Sequence, residues 1–459
     1  MIPRFGRTAA AYACAVLLAG GSFYTYATRY QTAGRWQAAD FDPADYRIIA
    51  EHFWGVPVAL DTYRIDPGWL EFLQHVPFRG IGLGTFYLLA GATAIGHAPS
   101  TNAEVVAAGA RVAVVEKILL AVALLMLFEV ARRSWGAAAA VGAIAATALP
   151  PRFWRLTDDF LAEPLLRVCF LLLFACAIAF SRRKSTTLAI AMLTLMFIAA
   201  HLKADWVLGT FLLLPVLFLE PSMRRAPVGA RIAVCALAIA TPISIAAVNW
   251  IGWHTASMRP GLGVHVNLKY NDTLRPQYCA NLSAGEPPPP FCDEHRPKRS
   301  WWRMYLGGDV SLAEIEAFDQ YARGILVATP ARDVREFAAG LALASSVPGI
   351  AVDTGPGLFR VVPLANPWAA IVRVLDVGVW VLLFIGLRDP ELRAPCATAL
   401  VLWIVPSAGN MVSLYELRYH MPMAGIGLVC ACQVLARVAA RHYPKNICRS
   451  RNRAGRSSA

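Results

Sequence analysis

Charge is scarce in this chain. Only 16% of its 459 residues are charged, 57% are hydrophobic, and the mean hydropathy is +0.48. A soluble protein of this length carries a far more polar surface, which excludes an ordinary soluble fold. Acidic residues are the scarcest, 30 Asp and Glu against 43 Lys and Arg, for a formal net charge of +13. That balance can signal a nucleic-acid partner. Here much of the positive charge lies in short segments flanking apolar runs, so no nucleic acid is expected. Alternation of apolar and polar residues is missing from the runs themselves. Inside lipid every backbone polar group must be satisfied internally, by helices or a closed barrel, and continuous apolar runs select helices. The chain also lacks a Walker A motif, a Ser-His-Asp set legible from spacing, an internal repeat, and any His/Cys/Asp cluster with metal-ligand spacing. No cofactor is expected, and metal dependence is left open.

What is present is an all-α integral membrane protein of about ten spans. They run roughly over 8–28, 108–131, 136–150, 159–180, 186–200, 204–220, 231–252, 367–387, 395–412 and 420–437. The first run lacks a clear small-x-small cleavage site and reads as an uncleaved span. Arg4, Arg7, Arg132-Arg133, Arg182-Arg183-Lys184, Arg224-Arg225, Arg231, Arg388, Arg393 and the basic tail 438–459 all fall on one side. The positive-inside rule makes that side cytoplasmic, with both termini on it. The segment GIGLGTFYLLAGATAIG (80–96) is apolar but short and glycine-rich. Counting it as a span puts Arg132-Arg133 outside, so it reads as a helix at the outer interface. Four parts follow: an N-terminal module over 1–252 with a first outer loop at 29–107, an outer loop at 253–366, C-terminal helices at 367–437, and the tail. Basic short loops and an oxidising outer face suit a bacterial inner membrane, with the outer loops in the periplasm.

Polar residues from distant parts of the chain then share the outer face. In ADFDPADYRIIAEHFW (39–54) an amphipathic helix begins, with Asp42 placed as N-cap, Pro43 as first helical residue and Asp45 as N3. Asp40 lies outside the cap. In LTDDFLAEPLLR (156–167), Asp159, Glu163 and Arg167 recur at helical spacing, and Glu163 is expected to pair with Arg167. Asp158, Asp159 and Glu163 form an acidic rim where the chain enters the membrane. Charges at that depth are costly, so several on one face suggest a polar cavity. HLKADW (201–206) sets Lys203 level with that rim, and ELRYHMP (416–422) adds Arg418 and Tyr419. A lysine can hold a phosphate as a point charge, and an arginine can grip it with two donors. Each feature also has a plain structural reading: a cap, an ion pair, a hairpin turn, an interfacial anchor. Cys279 and Cys292 are the two cysteines of the large outer loop and are expected to pair in an oxidising compartment.

The order of these elements resembles a known pattern. An aspartate-bearing first outer loop follows the first span. A span ends in EVARRSWG (129–136), the next in ALPP (148–151), and another begins with DDFLAEPL (158–165). RYHMP (418–422) comes near the end. The chain resembles the GT-C superfamily of membrane glycosyltransferases, which includes protein O-mannosyltransferases and the bacterial lipid A aminoarabinose and galacturonic acid transferases. FDPADYR (41–47) is also similar to an F-D-P stretch of oligosaccharyltransferase catalytic subunits. Trp301-Trp302-Arg303 departs from their W-W-D motif, so an oligosaccharyltransferase is not expected.

The resemblance implies transfer of a sugar from a polyprenyl-phosphate donor to a glycan, lipid or protein acceptor outside the cytoplasm. An acidic residue of the first outer loop would serve as base or orient the acceptor, which points to Asp42 with Asp40 beside it. Asp45, Asp158, Asp159, Glu163, Lys203, Arg418 and Tyr419 would face the substrates. A capping carboxylate accepts backbone hydrogen bonds, which weakens it as a base. The rival reading is a transporter or flippase for a lipid-linked sugar. It calls for repeated halves and broken helices near the midplane, against a chain with no repeat and its polar residues at one face.

Overall fold

The computed structural model describes residues 4–29, 41–56, 73–74, 80–96, 102–149, 154, 162–258, 263, 266, 274–282, 292, 312–332, 334–335, 338, 351–353, 359–361, 367–412, 422–423 and 425–442; for 41–45 it describes the backbone alone. The chain is almost wholly helical there. In order come α1 (Arg4–Arg29), α2 (Phe41–Trp54), α3 (Ile81–Ile95), α4 (Asn102–Trp135), α5 (Ala137–Ala148), α6 (Ala162–Arg183), α7 (Thr186–Leu202), α8 (Val207–Leu219) and α9 (Val228–Trp253). After them come α10 (Leu274–Ala280), α11 (Leu312–Ala328), α12 (Pro367–Gly386), α13 (Arg393–Val412) and α14 (Ile426–His442). A small antiparallel pair, β1 (Ala351–Asp353) and β2 (Phe359–Val361), sets Val352 against Arg360.

Helices α1, α6 and α9 are long and apolar enough to cross a membrane, and α6 differs from the other two. Its window is 83% buried, against 17% for α1 and 28% for α9. A helix apolar all round belongs in the middle of a bundle. α6 packs against α4, α7 and α13, with Leu166, Phe170, Phe174, Ala177 and Ile178 all buried. α1, α9 and α12 instead present exposed apolar faces, among them Val16 and Leu17, Ile243 and Ile251, and Val374 and Val377. Lipid tails offer no hydrophobic drive for joining helices, so close packing and buried polar contacts hold such a bundle together.

One end of the bundle is tied by ions. Glu220, just past α8, is 1% exposed. It takes Lys184 from the α6–α7 turn, and Arg393 from the start of α13 lies 3.7 Å away. Lys184 also donates to the Pro390 carbonyl at 3.3 Å. Asp389 and Glu391 in the α12–α13 turn receive Arg437 of α14, with Asp389 at 3.0 Å. The Arg437 guanidinium, through its hydrogen bond and its charge, holds the Glu391 carboxyl below its ordinary range. That contribution is present above the ordinary carboxylate range and is lost as pH falls below it through the lowered range of Glu391. Removing one member of a buried pair leaves uncompensated charge. Glu220→Ala is therefore expected to cost about 3 kcal/mol, measured by unfolding in detergent micelles. A loss under about 1 kcal/mol, the worth of a surface pair, would mean that the cluster is solvated.

The segment between α9 and α12 has its own small core. Phe318 and Ala322 of α11 pack with Val266, and Tyr278 of α10 stacks edge-on to Phe318. Asp319 of α11 accepts the Gly263 N–H at 2.6 Å. Cys279 and Cys292 are joined by a disulfide, 13 residues apart in sequence. Closing a loop of that size is worth about 3 kcal/mol in the chain-entropy model. Cys279→Ser is expected to remove about that much from the unfolding of this loop, read by protease sensitivity of 253–366 with and without reductant. Equal sensitivity in all samples would show that the α10–α11 core holds without it.

Candidate functional site at one end of the bundle

The site is built at the end opposite the Glu220 cluster. α6 and α7 are antiparallel neighbours joined by a short turn, so the start of α6 meets the end of α7. Glu163 stands in the first turn of α6, where the helix dipole favours an anion, and Lys203 stands at the C-cap of α7, where it favours a cation. The Lys203 Nζ lies 3.8 Å from Glu163 Oε1, with their side chains 18% and 5% exposed. Buried this far, an ion pair resists screening by water and salt. The expected Glu163–Arg167 pair gives way to this one. Arg167, a turn deeper and 2% exposed, sends its guanidinium to two backbone carbonyls, Pro422 O at 3.0 Å and Thr147 O. The physical reason is that Lys203 brings a cation to Glu163 from a neighbouring helix end. Arg167 instead answers the orphan carbonyl of Thr147 in the last turn of α5.

Glycine lets α2 and α3 reach this end. An ideal Cβ on Gly80 or Gly82 would stand 2.8 or 2.6 Å from the His201 carbonyl oxygen, and one on Gly84 would stand 1.9 Å from that of Tyr46. The start of α3 is thus pressed against the end of α7 on one side and against α2 on the other. A side chain at any of the three would part them. α2 is carried in at the same level. Its Phe53 stacks on Trp253 at the end of α9, with ring centroids 5.9 Å apart.

Asp42 lies one helical turn before Tyr46. The helix opens at Phe41, so Asp42 sits within the first turn and does not cap it. Pro43 follows it in the first turn, where its missing N–H costs no helical bond. Asp45 lies in the same first turn. Asp40, Asp158, Asp159, Arg418 and Tyr419 lie outside the described residues.

Behind the pair is a buried polar cluster that sequence reasoning missed. Arg47 and Glu51 of α2, 7% and 0% exposed, form an i, i+4 ion pair at 2.5 Å. The Tyr87 hydroxyl of α3 donates to Glu116 of α4 at 3.5 Å, and Glu116 is 2% exposed. Burial, and after it the charges of Glu116, Tyr46 and Glu163, push the Tyr87 hydroxyl well above its ordinary range, so it remains a protonated donor. The signal in the sequence was Glu116-Lys117 inside an otherwise apolar run, since ionisable groups at that depth are costly and need partners. His201, whose carbonyl receives α3, turns its ring to the Ser244 hydroxyl at 2.8 Å. Among the described residues no group of three His, Cys, Asp or Glu is arranged to hold a metal ion.

Chemically, the end of the bundle offers a fixed ammonium beside a carboxylate, with an aspartate-bearing helix start one turn from Tyr46. A proton acceptor and an anion binder on neighbouring elements are what acyl or glycosyl transfer from a phosphate leaving group requires.

No protein-family model matches the chain, and no curated protein matches it. Several solved structures do. One is the archaeal oligosaccharyltransferase AglB from Archaeoglobus fulgidus, in complex with an inhibitory peptide and a dolichol-phosphate, at 12% identity and a TM-score of 0.45. The match covers 95% of this chain and 50% of that one, so the chain spans about half the length of that structure. The same oligosaccharyltransferase in its apo form matches at 13% identity and a TM-score of 0.45, covering 98% and 52%. ArnT from Cupriavidus metallidurans, bound to undecaprenyl phosphate, matches at 13% identity and a TM-score of 0.33, covering 95% of this chain and 79% of that one.

Proposed function

We propose that this protein is a membrane glycosyltransferase of the GT-C kind. It moves a hexose or pentose from a polyprenyl-phosphate donor to a glycan, lipid or protein acceptor at the outer face of a bacterial inner membrane. The observation that carries the reading is the Lys203–Glu163 pair at the end of the bundle against which α3 is pressed, with Tyr46 of α2 packed on α3. The ordered motifs of the sequence add to it.

In this reaction Asp42 accepts the proton of the acceptor hydroxyl. The acceptor oxygen bonds to the anomeric carbon of the sugar as the bond from that carbon to the phosphate oxygen breaks. The departing polyprenyl phosphate keeps the bonding electrons, and its negative charge is met by Lys203 and Arg418. Tyr419 and the acidic residues Asp45, Asp158, Asp159 and Glu163 line the sugar and acceptor side, with Asp40 as the alternative base. The lipid donor explains why the site stands at a membrane surface: its tail stays in lipid while its phosphate reaches the fixed ammonium.

The direct test is transfer by the purified, detergent-solubilised protein. Polyprenyl-phosphate donors carrying labelled hexoses and pentoses are offered with extracts of cell-envelope glycan and lipid. Release of free polyprenyl phosphate matched by labelled acceptor supports the reading. Movement of intact donor across a vesicle membrane, with no transfer, would replace it by transport.

A further inference from the structure

Arg167 belongs to none of the ordered motifs, yet it touches one of them and stands beside two others. It lies in α6 four residues after Glu163, just beyond DDFLAEPL. Its guanidinium donates to the carbonyl of Thr147, one residue before ALPP, and to the carbonyl of Pro422, the last residue of RYHMP, at 3.0 Å. Thr147 is in the last turn of α5, where carbonyls lack helical partners and the dipole favours a cation. A planar guanidinium reaches its two acceptors from two separate nitrogens held in a rigid fork, whereas an ammonium offers all its donors from one atom. A second contact joins the same segments. Gly425 has φ +86°, and a Cβ on it would stand 2.2 Å from the Ala146 carbonyl oxygen. Pro422 is thus held at the ends of α5 and α6 by a buried charge, and Gly425 is pressed to the end of α5 by the absence of a side chain.

We infer that Arg167 is a positioning residue, seating Pro422 and the entry to α14 on the ends of α5 and α6 at the same end of the bundle as the Glu163–Lys203 pair. The inference rests on the glycosyltransferase reading for its functional consequence. α6 holds Lys203 through Glu163 and Pro422 through Arg167, one turn apart. The segment that carries Arg418 and Tyr419 in sequence therefore ends at a point fixed to the helix that also fixes Lys203. Misplacing a charge-stabilising group by about 1 Å can cost on the order of 100-fold in rate.

The test uses the full-length protein in detergent and two readouts. Arg167→Lys keeps the charge but cannot span both carbonyls. It is expected to fold, to lose about 10- to 100-fold in kcat per folded molecule, and to change the donor KM by much less. A merely structural role would lower the amount of folded protein and leave kcat per folded molecule unchanged. The second readout needs no activity: the rate of tryptic cleavage after Arg418, referenced to cleavage in the tail beyond residue 443. Arg167→Lys and Gly425→Ala are each expected to speed that cleavage at least about tenfold, an opening worth 1.4 kcal/mol. Arg167→Met should go further, and if it does not fold the lysine variant decides. Wild-type cleavage in Arg167→Lys would overturn the inference, and so would faster cleavage with unchanged kcat. Should the wild-type protein transfer no sugar at all, the glycosyltransferase reading fails, while cleavage still decides whether Arg167 seats the turn.

Discussion

Asp42→Asn is expected to lower sugar transfer by about 10²–10⁴-fold, the usual cost of losing a general base, while the folded protein stays in the membrane. Asn matches Asp in size, and Asp42 lies inside the first turn of α2. The stability cost is therefore the loss of one anion near a helix N-terminus, about 0.3–1 kcal/mol. Asp45→Asn is the matched control for stability, because Asp45 shares that first turn and loses the same helix-dipole term. Transfer is measured with purified protein, a polyprenyl-phosphate sugar and its acceptor. Wild-type turnover in Asp42→Asn with a dead Asp40→Asn would move the base to Asp40. Wild-type turnover in both would remove the first outer loop from the chemistry.

Lys203→Ala is the second large effect, expected at about 10²–10³-fold in kcat. Two causes act together. The leaving phosphate loses a fixed positive charge, and Glu163, 3% exposed, loses the cation 3.8 Å away. The two can be separated. Lys203→Arg restores charge and is expected to recover most of the turnover. Glu163→Gln combined with Lys203→Ala removes the stranded carboxylate, and is expected to recover folded yield but not rate. If the double variant turns over at the wild-type rate, Lys203 serves Glu163 and not the phosphate.

Much of the architecture was legible because it follows from short-range patterns. Continuous apolar runs bounded by arginines gave helices, and the turn at HLKADW is the break between α7 and α8, crossed by one turn of 3-10 helix at Ala204–Trp206. The glycines of 80–84 were visible too, but their purpose was not. What each would strike is a carbonyl of Tyr46 or His201, and no local pattern names a partner 38 or more residues away. The acidic rim shows the same boundary. Spacing offered Arg167 to Glu163, because i, i+4 partners are the ones a sequence can display. The partner supplied by the fold is 40 residues away, on a helix that returns to the same end. Arg47–Glu51 was readable at that spacing. Tyr87–Glu116 was not, since it joins two helices at their crossing. The disulfide was within reach because its loop holds just two cysteines.

The contact between Arg167 and Pro422 spans 255 residues of chain. A ribosome adding roughly 5–20 residues per second takes about 13–50 s to cover that distance. Through this interval α6 has left the exit tunnel, carrying a guanidinium whose second carbonyl has not been made. α13, another of its packing partners, has not been made either. The newly inserted helix must wait beside α4 and α7 or within the insertion machinery, since facing lipid alone would strand that charge. A chain stopped short of residue 422 therefore carries a central helix whose guanidinium lacks its second carbonyl, even with most of its spans in place.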